Sequence, residues 1–235
     1  MNVLITGATK GSGKAIAENL IVAVYKVFAT GRNEELLKCY ENYCVSDLST
    51  FAGMEKLANY ILKNEIDILI NNAGEYLYTP AENGYKNEIM DHIMKLNLEA
   101  PLFLISNSIN YMKKNGFGRI VNIGSISGVM GEANAALYSA TKAGLIGATK
   151  ALALELAEFG ITVNTINPGW VDTDLGNNSV EDSEFSKEEL IDCIPQRRFV
   201  SPVEVAGMVK YLISEDAKGV TGQSINLCAG LSVGY

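Results

Sequence analysis

Short apolar runs alternate with longer stretches of helical periodicity from one end of the chain to the other. Val3–Thr6, Lys26–Thr30, Ile68–Asn71, Ile120–Ile123, Thr162–Ile166 and Ser224–Leu227 read as strands, and a shorter one falls near Tyr43–Val45. Between them, Gly13–Val22, Phe51–Lys63, Ala136–Glu158 and Val203–Ile213 carry the spacing of helices. Strand–helix alternation of this kind joins successive strands by right-handed crossovers. It predicts an α/β fold, a parallel sheet with helices on both faces. One segment breaks the pattern: Gly176–Glu189 is polar and acidic and has no sustained apolar period. It reads as a mobile lid or a short loop–helix insertion, within about 174–195, with a plain surface loop as the alternative.

The length of 235 residues fits a single domain over 1–235 that buries a substantial core, and no linker or repeat divides it. A formal charge of -8 argues against nucleic acid and against anionic membrane surfaces as partners. No apolar run is long enough to span a bilayer. Met1–Thr6 already reads as a buried strand, which leaves no room for a cleavable signal, so the expected location is the cytoplasm. Cys39, Cys44, Cys193 and Cys228 have neither paired metal-ligand spacing nor a Cys-x-x-Cys motif, so free thiols and no metal are expected. His92 is the one histidine; it sits in the polar run Glu88–Lys95 and reads as a helix-surface residue.

Chemistry gathers at the ends of the predicted strands. The first runs into Thr6, Gly7, Ala8, Thr9, Lys10, Gly11, Ser12 and Gly13, and a helix follows at once. Glycines there let the backbone turn tightly and approach a pyrophosphate, while the helix offers free N–H groups and its positive dipole end. The spacing is not Gly-x-Gly-x-x-Gly, and a Gly-rich turn without ligand is the duller alternative. The second strand ends at Thr30-Gly31-Arg32-Asn33, about twenty residues on, where a dinucleotide-binding fold meets the adenosine ribose. The first charge there is Arg32 rather than an acid, and its planar cation suits a 2′-phosphate, with Lys10 in the same region. NADP(H) is therefore expected over NAD(H), against the alternative of a solvated surface arginine.

Tyr138 and Lys142 stand four residues apart in Tyr-Ser-Ala-Thr-Lys, which on a helix places both on one face. A free phenol titrates near pH ~10 and an ammonium near ~10.4. An ammonium beside the phenol favours the phenolate, and the expectation is a Tyr138 pKa lowered toward neutrality. That would make Tyr138 a general acid for a developing alkoxide, or a base in reverse.

With these motifs in order, the chain resembles the short-chain dehydrogenase/reductase family over essentially its full length. The resemblance rests on Thr6–Gly13, Asn71-Asn72-Ala73-Gly74, Asn97, Ser125, the Tyr138 and Lys142 pair, and Pro168-Gly169 followed by Thr173. Within the family it is most similar to bacterial 3-oxoacyl-[acyl-carrier-protein] reductases, whose tail resembles Pro195 through Pro202-Val203-Glu204-Val205 to Thr221-Gly222-Gln223. The resemblance implies a Rossmann-like, doubly wound, seven-stranded parallel sheet. It implies Tyr138 as proton donor, and Lys142 as the group that lowers its pKa and binds the nicotinamide ribose. It further implies Ser125 as donor to the substrate oxygen, and Asn97 as holder of a water that links Lys142 to solvent. Asp47 and Leu48 would meet adenine, and Asn72, Ala73 and Gly74 would lie along the cofactor. Ile166, Pro168, Gly169, Val171 and Thr173 would border its nicotinamide end. The same likeness implies a homotetramer built through long helices such as Leu98–Asn115 and Ala136–Glu158.

Some residues depart from that pattern and bear on the substrate. Glu75–Asn87 lacks the usual Arg-Asp and Met-rich stretch, and Cys228-Ala229-Gly230 stands where Asp-Gly-Gly is frequent. No glycine closes the first helix around Ala23–Tyr25, so that turn must be made otherwise. An acidic carrier protein would need a basic patch, for which Lys113, Lys114 and Arg119 are the candidates. The substrate class stays open between an acyl thioester and a sugar or polyketide-like carbonyl. Trp170 reads as lining the substrate mouth or as packing. A non-catalytic dinucleotide sensor is the alternative from another class, but it would have no use for Asn97, Ser125, Tyr138 and Lys142 together.

Overall fold

The computed structural model describes residues 1–181 and 186–233. Seven strands, β1 (Asn2–Thr6), β2 (Lys26–Gly31), β3 (Asn42–Val45), β4 (Ile68–Asn71), β5 (Gly118–Ile123), β6 (Ile161–Pro168) and β7 (Ser224–Leu227), form one sheet. Their order is β3-β2-β1-β4-β5-β6-β7, and every pairing is parallel. Each predicted strand is present, most of them extended by a few residues. The helices are α1 (Gly11–Val22), α2 (Glu34–Leu37), α3 (Phe51–Asn64), α4 (Asn87–Met94), α5 (Ala100–Asn115), α6 (Ser127–Met130), α7 (Ala136–Leu156), α8 (Asp174–Glu181), α9 (Lys187–Cys193) and α10 (Pro202–Leu212).

Alternation along the strands divides the core into two layers. Val3, Ile5, Ile68 and Ile70 pack with Ile16 and Leu20 of α1 and Val205 and Val209 of α10. Leu4, Leu69 and Ile120 face the other way, onto Leu57 and Ile61 of α3, Leu104 of α5 and Leu156 of α7. Burial on both faces explains why the strands read as unbroken apolar runs. Side-chain caps fix where several helices start: Thr50 accepts from the Gly53 amide at 3.1 Å, and Ser201 and Glu204 form a capping box with Pro202 in the first turn. The irregular segment resolves into a loop–helix insertion carrying α8 and α9; the part of it at 182–185 lies outside the described residues. Among the described residues, no helix is long and apolar enough to cross a membrane, and no group of metal-ligating side chains gathers. All four cysteines are free thiols.

The candidate basic patch falls at the wrong end of the sheet. Arg119, the second residue of β5, pairs opposite Ile68 at the amino ends of the strands. It is 3% exposed, with Nη1 donating to the Gly118 and Gly160 carbonyls and Nη2 3.4 Å from Glu215. Lys113 lies over the Phe159 ring. Arg119 and Lys113 are thus engaged within the fold at the amino ends of the strands, away from the carboxyl ends.

The missing glycine after α1 is replaced by Val24, which takes the left-handed conformation at φ 65°. The Val24 amide bonds the Ile21 carbonyl and the Tyr25 amide bonds the Leu20 carbonyl, both at 3.0 Å, closing the helix as a Schellman turn. A β-branched residue is strained there, and Val24 is 90% exposed, so no packing offsets the strain. Relief of ~1–2 kcal/mol against the chain entropy of glycine predicts that Val24→Gly gains about 0.5–1 kcal/mol. Urea unfolding checks this: the midpoint should rise with the slope unchanged.

Candidate active site

The chain reverses its winding direction between β1 and β4, and a crevice opens beyond their carboxyl ends, as doubly wound sheets require. A cavity of about 640 Å³ fills it, running from the glycine loop past Gly74 to Tyr138 and Trp170. Its floor depends on close approach of backbone. Gly7 has φ 67°, and a Cβ on Gly13 would stand 2.1 Å from the Gly7 carbonyl oxygen and 2.4 Å from Asn72 Nδ2. Asn72 Nδ2 donates to the Thr6 carbonyl at 2.9 Å, locking the loop to the end of β4. Helix α1 starts without a side-chain cap at Lys10, and Gly11, Ser12 and Gly13 of its first turn line the cavity. The cradle therefore fits the diphosphate of a dinucleotide.

Thr9, Lys10, Gly11, Ser12, Arg32, Asp47 and Leu48 line the cavity, and so do Asn72, Ala73, Gly74, Pro168, Gly169, Val171 and Thr173. Arg32 is exposed at the adenosine end. Partial burial works to raise the Asp47 carboxyl, but Ser49 hydrogen bonds at 2.7 and 3.0 Å and the nearby Arg32 charge hold it below the ordinary range. Thr6 and Asn97 act one layer back. The Thr6 hydroxyl accepts from the Asn72 and Ala73 amides, each at 2.9 Å. Asn97, in a π-helical turn at Lys95–Glu99, clamps the Glu75 backbone by accepting from its amide and donating to its carbonyl, both at 2.9 Å. Ile166 is fully buried core rather than cavity wall.

Helix α7 brings Tyr138 and Lys142 onto one face beneath Ser125, which follows β5. Tyr138 is 9% exposed and shares a side-chain hydrogen bond with Ser125. Lys142 Nζ donates to the Ile123 carbonyl at 2.9 Å and lies 5.6 Å from the Tyr138 ring centre. Asn97 Oδ1 and Lys142 Nζ converge on the bare face of Gly74, where a Cβ would meet them at 3.1 and 3.4 Å.

Several wall residues escaped the sequence reading. Tyr76 packs edge-on against Tyr138 with ring centres 5.3 Å apart, and Glu75 reaches back to His92 Nε2 at 3.0 Å. His92 thus sits at the helix surface but has a carboxylate partner. Ser127 and Glu132 adjoin Ser125, and Leu231 closes the far side. Glu132 had a signal: it is the sole acid between Arg119 and Glu155. Trp170 fills both of its readings, since it lines the cavity and stacks on Phe199 at 5.9 Å.

The expected lowering of the Tyr138 pKa is not what the protein's own groups produce. Burial pushes the phenol up to about 12, with the Ser125 hydrogen bond pulling down and the Glu132 charge pushing up. Burial also pulls Lys142 down, to about 8. Desolvation outweighs mutual attraction here, because the ammonium is turned to the Ile123 carbonyl rather than the phenol oxygen. The folded chain therefore releases the Lys142 proton before the unfolded chain does. Its contribution to stability grows as pH rises from about 8 to the ordinary 10.5 and is absent below 8. Tyr138 works the opposite way above pH 10. Between pH 8 and 10 the unfolding free energy of the wild type, measured by urea titration, should climb by about 2 kcal/mol relative to Lys142→Met.

Comparison with known proteins agrees with this geometry. A family model for short chain dehydrogenases matches residues 1–184. The 3-oxoacyl-[acyl-carrier-protein] reductase FabG of Rickettsia felis is 38% identical, covering 97% of this chain and 95% of that protein. The structure of an actinorhodin polyketide ketoreductase variant with NADPH superposes with TM-score 0.92 at 35% identity, covering 99% of this chain and 97% of that one. A putative NAD(P)-dependent gluconate 5-dehydrogenase from Beutenbergia cavernae with bound NADP follows at TM-score 0.89 and 31% identity, covering 98% and 96%. Matched along nearly its whole length, this chain belongs to the short-chain dehydrogenase family and is an oxidoreductase.

Proposed function

We propose that the chain is an NADP(H)-dependent reductase of ketones, working in reverse as a secondary alcohol dehydrogenase, with 3-oxoacyl thioesters as its first candidate substrates. One observation carries the reading: Tyr138, Ser125 and Lys142 meet at one end of the same cavity whose other end is the glycine cradle. When bound, the nicotinamide cofactor supplies a hydride to the carbonyl carbon. Tyr138 gives its proton to the carbonyl oxygen, completing the alcohol, and is reprotonated from solvent. A phenol held near 12 is fully protonated at neutral pH, the state a donor needs. Lys142, held near 8, remains largely an ammonium at pH 7 and supports the charge that develops on Tyr138 as the proton leaves. Ser125 orients the phenol. Relatives with NADPH or NADP bound, together with Arg32 at the adenosine end, support the phosphorylated cofactor.

A second reading, reduction of a hydroxylated carbonyl compound, is favoured by Glu132, whose carboxylate beside Ser127 offers an acceptor for a substrate hydroxyl. The deciding assay is NADPH oxidation with an acetoacetyl thioester and with a panel of hydroxyketones. Tyr138→Phe should lose roughly 10²- to 10⁴-fold in rate while still binding NADPH; wild-type turnover in that variant would refute the proton-donor role. Arg32→Ala should weaken NADPH binding much more than NADH binding, measured by cofactor fluorescence, and equal losses would remove the basis for the NADP(H) preference.

A further inference from the structure

The reacting end of the cavity carries a carboxylate that the proton transfer does not use. Glu132 lines the cavity together with Ser125, Ser127, Tyr138 and Trp170. Its Oε2 accepts from Ser127 Oγ at 2.5 Å, and Ser127 Oγ stands 3.0 Å from Ser125 Oγ. The acid is thus two hydrogen bonds away from a hydroxyl at the reacting end. Among the described residues its side chain has no ion-pair partner, and Ser127 is its one hydrogen-bond partner. The other charged groups on the wall leave it uncompensated. Lys10 and Arg32 line the far end, by the glycine loop and β2, and the Lys142 ammonium is turned to the Ile123 carbonyl. Of the remaining acids, Asp47 is bonded by Ser49, Glu75 is paired with His92 at 3.0 Å, and Asp174 opens α8. The Glu132 charge is felt at the reacting group. After burial and the Ser125 hydrogen bond it is the third influence on the Tyr138 phenol, and the one charge among them.

We propose that Glu132 is a specificity-determining residue, a fixed negative charge that turns anionic carbonyl compounds away and leaves the site to neutral ones. The inference rests on the reading of the cavity as a ketone reductase site and narrows its substrates to uncharged ketones, 3-oxo esters and 3-oxo thioesters, with free oxo acids excluded. Like charges repel far more strongly inside a protein cavity than in bulk solvent, because the effective dielectric is lower. A 3-oxo acid has a single methylene between its carboxylate and its carbonyl, so its charge enters that field whenever the carbonyl is in place. Its ester brings the same carbonyl and no charge.

Acetoacetate and ethyl acetoacetate are such a pair, and the test compares them as substrates with NADPH in the wild type and in Glu132→Gln. Glutamine keeps the size of the side chain and removes its charge. The two compounds share the reacting carbonyl, so any effect of the substitution on Tyr138 or on the cofactor enters both rates and divides out of their ratio. The wild type should favour the ester in kcat/KM, and Glu132→Gln should shrink that preference at least about 10-fold, while Glu132→Asp keeps it. Binding gives the same ratio without turnover. Trp170 is the one tryptophan and lines the cavity, so its fluorescence follows either compound as it binds to the NADP⁺ complex. There too the ester preference should shrink at least about 10-fold in Glu132→Gln. An ester preference absent from the wild type, or unchanged in Glu132→Gln, overturns the proposal, as does failure of both compounds to disturb Trp170. The reductase reading is judged separately: ester turnover lost in Tyr138→Phe upholds it even where acid and ester prove equal.

Discussion

The site depends on one hydroxyl. Thr6, the last residue of β1, accepts the Asn72 and Ala73 amides as the chain leaves β4, at the point where the winding of the sheet reverses. Two strands far apart in sequence are tied together at the mouth of the crevice. Asn72 returns the tie through the Thr6 carbonyl. The absence of a side chain at Gly13 lets the first helix close onto that junction, its uncapped first turn lining the cavity. Gly74, Glu75 and Tyr76 follow this knot directly into the wall around Tyr138.

Chemistry and stability pull in opposite directions at the other end. Tyr138 and Lys142 are both buried, with desolvation the leading influence on each. A methionine in place of Lys142 would remove the desolvation of an ammonium but also the donor to Ile123 and the cation that faces the reacting phenol. Strained or desolvated groups kept at a working site are the usual mark of selection for activity over stability.

Most of the architecture was legible because the sheet is buried on both faces: Val3, Leu4 and Ile5 read as one apolar run though they feed two different layers. The glycine loop and the Tyr138–Lys142 spacing were legible because they rest on local geometry. What escaped depends on through-space placement. The turn at Val24 closes without its usual glycine because the backbone bonds to Leu20 and Ile21 hold it. The cluster of Lys113, Lys114 and Arg119 is close in sequence, but the sequence does not say at which end of the sheet it lies. Asn97 was identified as a site residue, yet its grip on Glu75 arises from a π-helical turn that periodicity does not reveal. The direction of the Tyr138 shift is not in the sequence, because spacing along a helix says nothing of where an ammonium points.

Val171 and Val200 pair as a short parallel bridge, with the Asp172 amide on the Val200 carbonyl at 2.9 Å and the Val200 amide on the Trp170 carbonyl at 2.8 Å. This bridge clips the neck of the excursion that carries α8 and α9. Both ends of that excursion are held at the clip, and Lys187 adds a tie to Asn177 at 3.0 Å and to Asp172 at 3.6 Å, so the entropy of closing it is met near its root. The bridge thus anchors the excursion beside Trp170 to the same strand end that carries Pro168 and Gly169 into the cavity, so its root is fixed by the sheet.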